Sequence, residues 1–156
     1  MAINGTRRVT LTAAIAVAAV VILGMYMTGD ASEIARGKAL YAENCASCHG
    51  DELQGQPDWK SPLPNGRYPA PPHDEAGHTW HHPDVMLMKI IRDGTAAVVG
   101  GQYESDMPGF GDTMSDSEIA AVLAYIKSTW PKRERRIQSR MTVSYTHLTL
   151  PTSDLV

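Results

Sequence analysis

Five consecutive residues, Cys45-Ala46-Ser47-Cys48-His49, carry the most legible chemistry in this chain. Two thiols three positions apart could form a disulfide in an exported protein or a redox pair in the cytosol. The histidine directly after the second cysteine points elsewhere. Cys-x-x-Cys-His is the attachment signature for covalent haem: the thiols add to the vinyl groups, and the adjacent imidazole is brought under the iron. The chain has only 2 cysteines, so a zinc site would lack the further ligands it needs. Cys45 and Cys48 are therefore expected to hold one haem c, with His49 as the proximal ligand of its iron.

The sixth ligand decides between an electron carrier and a haem that binds exogenous molecules. The candidates are Met86, Met88, Met107, Met114, His73, His78, His81 and His82. Met86 and Met88 fall on a short apolar stretch, where methionine packs. Met107 stands before Pro108 in the loop SDMPGFG. Proline holds its predecessor extended, and such a loop is suited to bring sulfur to iron from the face opposite His49. Met114 adjoins Ser115, where it would staple onto Ile119. Met107 is the expected distal ligand, Met114 the alternative, and a histidine or an open site stands behind them. The four histidines of HDEAGHTWHH have two readings. One is a polar rim at the haem edge; the other is a second metal site, with copper as the candidate since imidazoles bind it well. The spacing is irregular, and adjacent His81 and His82 diverge if helical.

The elements that position these groups are helical. Ser32 can cap a helix running to Asn44, with Glu33 near its positive end and Ile34, Gly37 and Tyr41 on one face. Gly37 costs helix stability unless another element must come close. Asp51 to His82 is rich in Gly and Pro; Pro57, Pro62, Pro64, Pro69, Pro71 and Pro72 exclude a long helix. So long a loop implies something to wrap around, and a haem is such a thing. Pro83 to Arg92 reads as a short helix ended by Asp93-Gly94, and Thr95 to Asp112 as loop. Ser115 and Glu118 form a capping box for the last helix, with Ile119, Val122, Leu123, Ile126 and Trp130 as its apolar stripe. Pro131 stops or bends it. Val122 and Tyr125 suit a crossing against Gly37 and Tyr41.

Together these pieces resemble the class I c-type cytochromes, the mono-haem cytochrome c family, in its membrane-anchored bacterial form. The resemblance rests on ARGKALY ahead of CASCH and on MPGFGDTMSDSEIAAVLAYIKSTWP from Met107 to Pro131, and covers roughly residues 32–131. It implies an all-α fold of three to four short helices and long loops around one covalent haem. The family methionine maps onto Met107, and the contact of first and last helices onto Gly37, Tyr41, Val122 and Tyr125. A proline carbonyl supports the proximal histidine in the family; here Pro62, Pro71 and Pro72 compete for that role.

Charge and hydropathy complete the organisation. Residues 31–130 hold seven Lys/Arg against fourteen Asp/Glu, whereas Lys132, Arg133, Arg135, Arg136 and Arg140 make a basic run relieved only by Glu134. An acidic body repels phosphates and excludes nucleic acid as a partner. The basic run, 132–142, reads as a solvated helix end or linker. Arg7 and Arg8 precede an uncharged apolar stretch, Val9 to Met27, long enough as a helix, at about 1.5 Å per residue, to cross a bilayer. Residues 1–30 are expected to be an uncleaved signal anchor, with a cleaved signal or a buried helix as alternatives. The arginines place the haem domain, 31–131, on the periplasmic side of the bacterial cytoplasmic membrane. Val143 to Thr152, VSYTHLTLPT, lacks amphipathic logic, and its back-translation resembles a transposase sequencing adapter; 143–156 is therefore expected to be foreign to the natural chain.

With histidine and methionine on iron, no substrate enters and no bond chemistry is catalysed, so single-electron transfer between membrane or periplasmic partners is expected. The resemblance implies a quinol-oxidising complex or dehydrogenase as donor and a terminal oxidase or copper protein as acceptor. The acidic body predicts a basic docking face on that partner. The rivals are a haem sensor or peroxidase-like enzyme with a labile sixth site, and a fixed subunit of an oxidase or reductase.

Overall fold

In the computed structural model, residues 29–149 are described, with side chains through residue 145. The apolar stretch Val9–Met27 and the last residues of the chain lie outside the described residues. The chain divides into two compact units, Met1–Glu33 and Ile34–Val156, and the haem motif lies in the second. Among the described residues there is no strand, and no helix is long and apolar enough to cross a membrane.

The first helix, α1, covers residues 29–44. Ser32 is not its cap: the hydroxyl bonds back to the carbonyl of Gly29 at 2.8 Å, from inside the helix. The single turn α2, Ala46–His49, follows at once. The long loop is then interrupted only by a 3₁₀ turn, Thr79–His81. α3, Asp84–Asp93, starts after an extended Pro83 and ends on Gly94 at a φ of 83°, a left-handed value that glycine adopts freely. The expected loop after it begins instead as a short helix, α4, Thr95–Val99. α5, Asp116–Thr129, carries the predicted capping box: Ser115 and Glu118 satisfy each other's backbone N–H.

α1 and α5 cross at Gly37. A Cβ built there would lie 1.9 Å from the carbonyl oxygen of Ala121 and 3.1 Å from Cβ of Tyr125. The glycine that weakens α1 is what lets the two backbones touch. One turn on, the Tyr41 and Tyr125 rings pack at 5.5 Å, a favourable separation for an aromatic pair. Tyr41, Ile119, Val122, Ile126 and Trp130 are almost wholly buried in the resulting core.

Pro131 ends α5, but the chain turns straight into a further helix, α6, Lys132–Thr149. The basic residues of 132–142, expected to form a solvated helix end or linker, are exposed on this helix, but the segment is not solvated throughout. Glu134 and Gln138 are buried, at 6% and 1% exposure, and Ile137 packs against the core. The Gln138 amide donates to the carbonyl of His82 at 3.3 Å, to the hydroxyl of Thr142 at 3.1 Å and to the carboxylate of Asp84. Asp84 also accepts from Lys127 at 2.7 and 2.8 Å. α6 packs through polar residues, and for that reason the hydrophobic pattern did not reveal it.

Candidate haem site

α1 delivers the attachment motif. Cys45 caps α2, and its carbonyl accepts from Cys48 N–H at 3.1 Å and from His49 N–H at 2.9 Å. One turn places both thiols on the same side of the chain. Cys45 is half-buried and Cys48 exposed, and neither is in a disulfide. Burial, followed by the neighbouring Cys48, pushes the Cys45 thiol up to about 11. That is the direction for an apolar pocket, not for an activated redox thiolate. The Tyr41 hydroxyl donates to the carbonyl of Gly50 at 2.9 Å, pinning the end of the motif to α1.

His49 is buried, and its Nδ1 lies 2.8 Å from the carbonyl of Pro71. A carbonyl only accepts, so Nδ1 carries the proton and Nε2 keeps a free lone pair, the tautomer a metal-ligating imidazole needs. Burial lowers the His49 pKa, outweighing the opposing pull of the Pro71 bond, and so favours the neutral imidazole. Of the three competing prolines, Pro71 supplies the support. The loop reaches it through tight backbone contacts: a Cβ on Gly55 would come 2.5 Å from Pro71–Pro72, and one on Gly77 would come 2.0 Å from the Pro72 carbonyl.

The ring of His73 stacks on that of His49, with centroids 4.0 Å apart and planes 22° from parallel. His73 is held in turn by Thr79, with Nδ1 and Oγ1 2.7 Å apart, and its carbonyl accepts from Trp130 Nε1 at 2.6 Å. Burial, and then His49, push its pKa down to about 3, so it stands neutral. The remaining histidines form a separate group: His78 and His81 stack at 4.7 Å, and His78 meets His82 edge-on at 4.9 Å. Stacked rings do not converge their nitrogens on one point. Among the described residues no group of three or more histidine, cysteine or acidic side chains is placed to hold a metal ion.

Met107 is partly buried against the core, alongside Met88 and Phe110. Its loop lies on the C-terminal end of α3. Phe110 N–H donates to the carbonyl of Ile91 and Gly111 N–H to that of Arg92, both at 2.9 Å. A Cβ on Gly94 would come 2.9 Å from Gly109 N and 3.1 Å from the Met107 carbonyl, so glycine is required beneath the loop. The hydroxyl of Thr95 donates to the Met107 sulfur at 3.2 Å. Met114, the alternative ligand, is 6% exposed in the same core cluster as Ile119, where packing accounts for it. Sequence reasoning missed Thr95, His73 as a neighbour of His49, and Arg67, which pairs with Glu104 at 3.2 Å and with Asp106 beside the methionine. None of these carries a motif; each is defined by a contact between distant segments.

These side chains fit a haem. They offer free thiols one turn apart, a neutral buried imidazole with an available Nε2, and a soft thioether in an apolar setting. The cytochrome c family model matches residues 34–130. The CcoP subunit of a cbb3-type cytochrome c oxidase from Azospirillum sp. (strain B510) is 31% identical over 99 residues, covering 62% of this chain and 29% of that protein. A thiosulfate dehydrogenase from Stutzerimonas stutzeri (strain A1501) is 36% identical over 98 residues, 62% of this chain and 27% of the other. The FixP subunit of a cbb3-type oxidase from Bradyrhizobium sp. (strain ORS 278) is 28% identical over 101 residues, 65% and 29% of the two chains. The chain thus spans under a third of the length of these relatives. No solved structure matches it. With its model matched across the region that holds both α2 and the Met107 loop, the chain belongs to the cytochrome c family, as a class I c-type cytochrome with one covalently bound haem c.

Proposed function

We propose that this domain is a single-electron carrier, its haem held by Cys45 and Cys48 and its iron ligated axially by His49 and Met107. The observation that carries this reading is the His49–Pro71 bond, which commits Nδ1 as donor and reserves Nε2 for a metal. Bound haem supplies a one-electron ferric–ferrous couple. His49 would be kept neutral by burial and orientated by Pro71, while the Met107 thioether would favour the reduced state and raise the potential relative to a second imidazole. With His49 and Met107 both holding the iron, a substrate would find no open site, and the domain would catalyse no bond chemistry itself. Met114 stays in the core.

Exposed Cys48 is flanked in sequence by exposed Glu43, Asp51 and Glu52. This acidic edge suits a redox partner with a basic docking face, and such association weakens with salt. A quinol-oxidising complex or dehydrogenase as donor, and a terminal oxidase or copper protein as acceptor, would fit. Residues 1–30 would anchor the protein in the bacterial cytoplasmic membrane with the haem domain on its periplasmic side, restricting the search for partners to two dimensions. The relatives named as oxidase subunits favour a second mode of use, as a fixed electron-transfer subunit; co-purification at a constant ratio after detergent extraction separates it from a mobile carrier.

The test is the optical spectrum of the oxidised, haem-matured protein. The expected result is a weak red-edge charge-transfer band from methionine sulfur to ferric iron, lost in Met107→Ala. Its absence from the unmutated protein, together with ready binding of azide, carbon monoxide or peroxide, would overturn the carrier reading in favour of a sensor or peroxidase-like haem.

A further inference from the structure

We infer that Thr95 is a positioning residue for Met107, its hydroxyl fixing the sulfur's orientation and raising the reduction potential; this rests on Met107 being the sixth ligand. A thioether sulfur has two lone pairs and is a weak hydrogen-bond acceptor. If one pair is given to iron, the other remains for a donor. The Thr95 hydroxyl reaches that sulfur at 3.2 Å, across twelve residues of sequence.

The donor is held on rigid ground. Thr95 is the first residue of α4 and follows Gly94, which closes α3 in a left-handed conformation. As a β-branched residue it has few side-chain rotamers to exchange between. The acceptor is held by the same platform. The Met107 carbonyl and the Pro108–Gly109 backbone rest against Gly94, and the following N–H groups are tied to the α3 carbonyls of Ile91 and Arg92. On the other flank, the Met107 N–H donates to Ser105 Oγ at 3.2 Å. Donor and acceptor thus hang from one short stretch of backbone, residues 91–95, and the contact between them is preorganised.

The electronic consequence has a definite sign. A hydrogen bond draws density from sulfur, weakening it as a donor to ferric iron more than to ferrous iron. The reduced state gains, and the potential rises. The change expected from part of a hydrogen bond of ordinary strength is about threefold in the redox equilibrium. At about 59 mV per tenfold for one electron, this is about 30 mV.

The experiment compares Thr95→Val, nearly isosteric but without the donor, and Thr95→Ser, which keeps it, in the haem-matured full chain. Midpoint potential is measured by spectroelectrochemistry and the sulfur-to-iron band by absorption. Valine is expected to lower the potential by about threefold in equilibrium constant and to shift the band, while serine stays close to the parent. If valine fails to mature, Thr95→Ala against Thr95→Ser carries the same comparison. A parent with the band, and a valine or alanine variant unchanged in both readouts, overturns the role of Thr95 alone. Serine displaced as far as valine overturns it too, because packing and not the hydroxyl would then be responsible. A parent without the band overturns the ligand assignment and this inference with it.

Discussion

Replacing Gly37 with alanine sets two effects of opposite sign against each other. Alanine is the better helix former by about 1 kcal/mol, so propensity alone predicts a more stable protein. The crossing predicts the reverse. The new Cβ would sit 1.9 Å from the carbonyl oxygen of Ala121 and 2.5 Å from its carbon, whereas real Cβ atoms essentially never come within 3.0 Å of a non-bonded heavy atom. The obstacle is backbone in the middle of α5, which has no rotamer to escape into, so α1 and α5 must part by about 1 Å in a densely packed interior. Overpacking of this kind costs about 1–3 kcal/mol, and occasionally more. The rigid obstacle argues for the top of that range, and separation also loosens the Tyr41–Tyr125 pair at 5.5 Å. After subtracting the propensity gain, the net loss is about 2 kcal/mol, a fall in Tm of about 8–16 °C for a domain near 100 residues. Urea and thermal unfolding of the haem-matured protein, followed by Soret absorbance and far-UV dichroism, measure it. Unchanged stability, or a gain near 1 kcal/mol, would refute the close crossing and leave Gly37 without a role.

Two further perturbations address the caps and the last helix. The Glu118 carboxyl is held below the usual carboxylate range, first by the side chain and backbone of Ser115 and then by Arg36. A depressed carboxylate stabilises the fold above its unfolded pKa of 4.5 and loses that contribution as pH falls through the lower folded value. Ser115→Ala loses the cap, which costs about 1 kcal/mol near neutral pH, and should flatten the acid limb of a stability–pH curve; an unaltered acid limb would contradict the capping box. Gln138→Ala removes a buried amide that donates to His82, Thr142 and Asp84 and should cost about 1–3 kcal/mol in urea unfolding. A change below about 0.5 kcal/mol would mean that α6 does not pack on the domain.

What could be read beforehand was local in sequence. The attachment motif is five residues long, the capping box four, and the Met107 loop announces itself through its proline and glycines. Gly37 was legible because an interior helical glycine beside a tyrosine implies close approach. The rest depends on contacts between distant segments. Nothing local distinguishes Pro71 from Pro62 or Pro72; the choice is made where Gly55 and Gly77 let the loop fold against itself. Thr95 follows a helix-ending glycine and reads as loop, yet it opens α4 and meets Met107 twelve residues later. Ser32 has the composition of a cap, but helical residues precede it, so its hydroxyl turns back to an internal carbonyl.

α6 belongs to the physics of the His49 side although the family match stops at residue 130. Its outward residues Lys132, Arg135, Arg136 and Arg140 are exposed, and a run of such residues looks like a solvated tail. The inward ones are what matter. Gln138 donates to the His82 carbonyl at the end of the 3₁₀ turn, and Arg133, though itself exposed, lies over the Trp80 ring at 5.7 Å from its centroid. Trp130, between α5 and α6, donates to the carbonyl of His73, whose ring lies on His49. Each contact is modest alone, but all bear on residues 73–82, the stretch that follows Pro71 directly. The support of His49 is therefore built from both ends of the domain: Tyr41 and Gly50 secure the motif from α1, and Trp130 with α6 secures the loop whose carbonyl fixes the imidazole. The Met107 side rests instead on the end of α3. His49 and Met107 thus have separate supports, which makes the setting of the imidazole sensitive to α6 and that of the Met107 sulfur sensitive to Gly94 and Thr95.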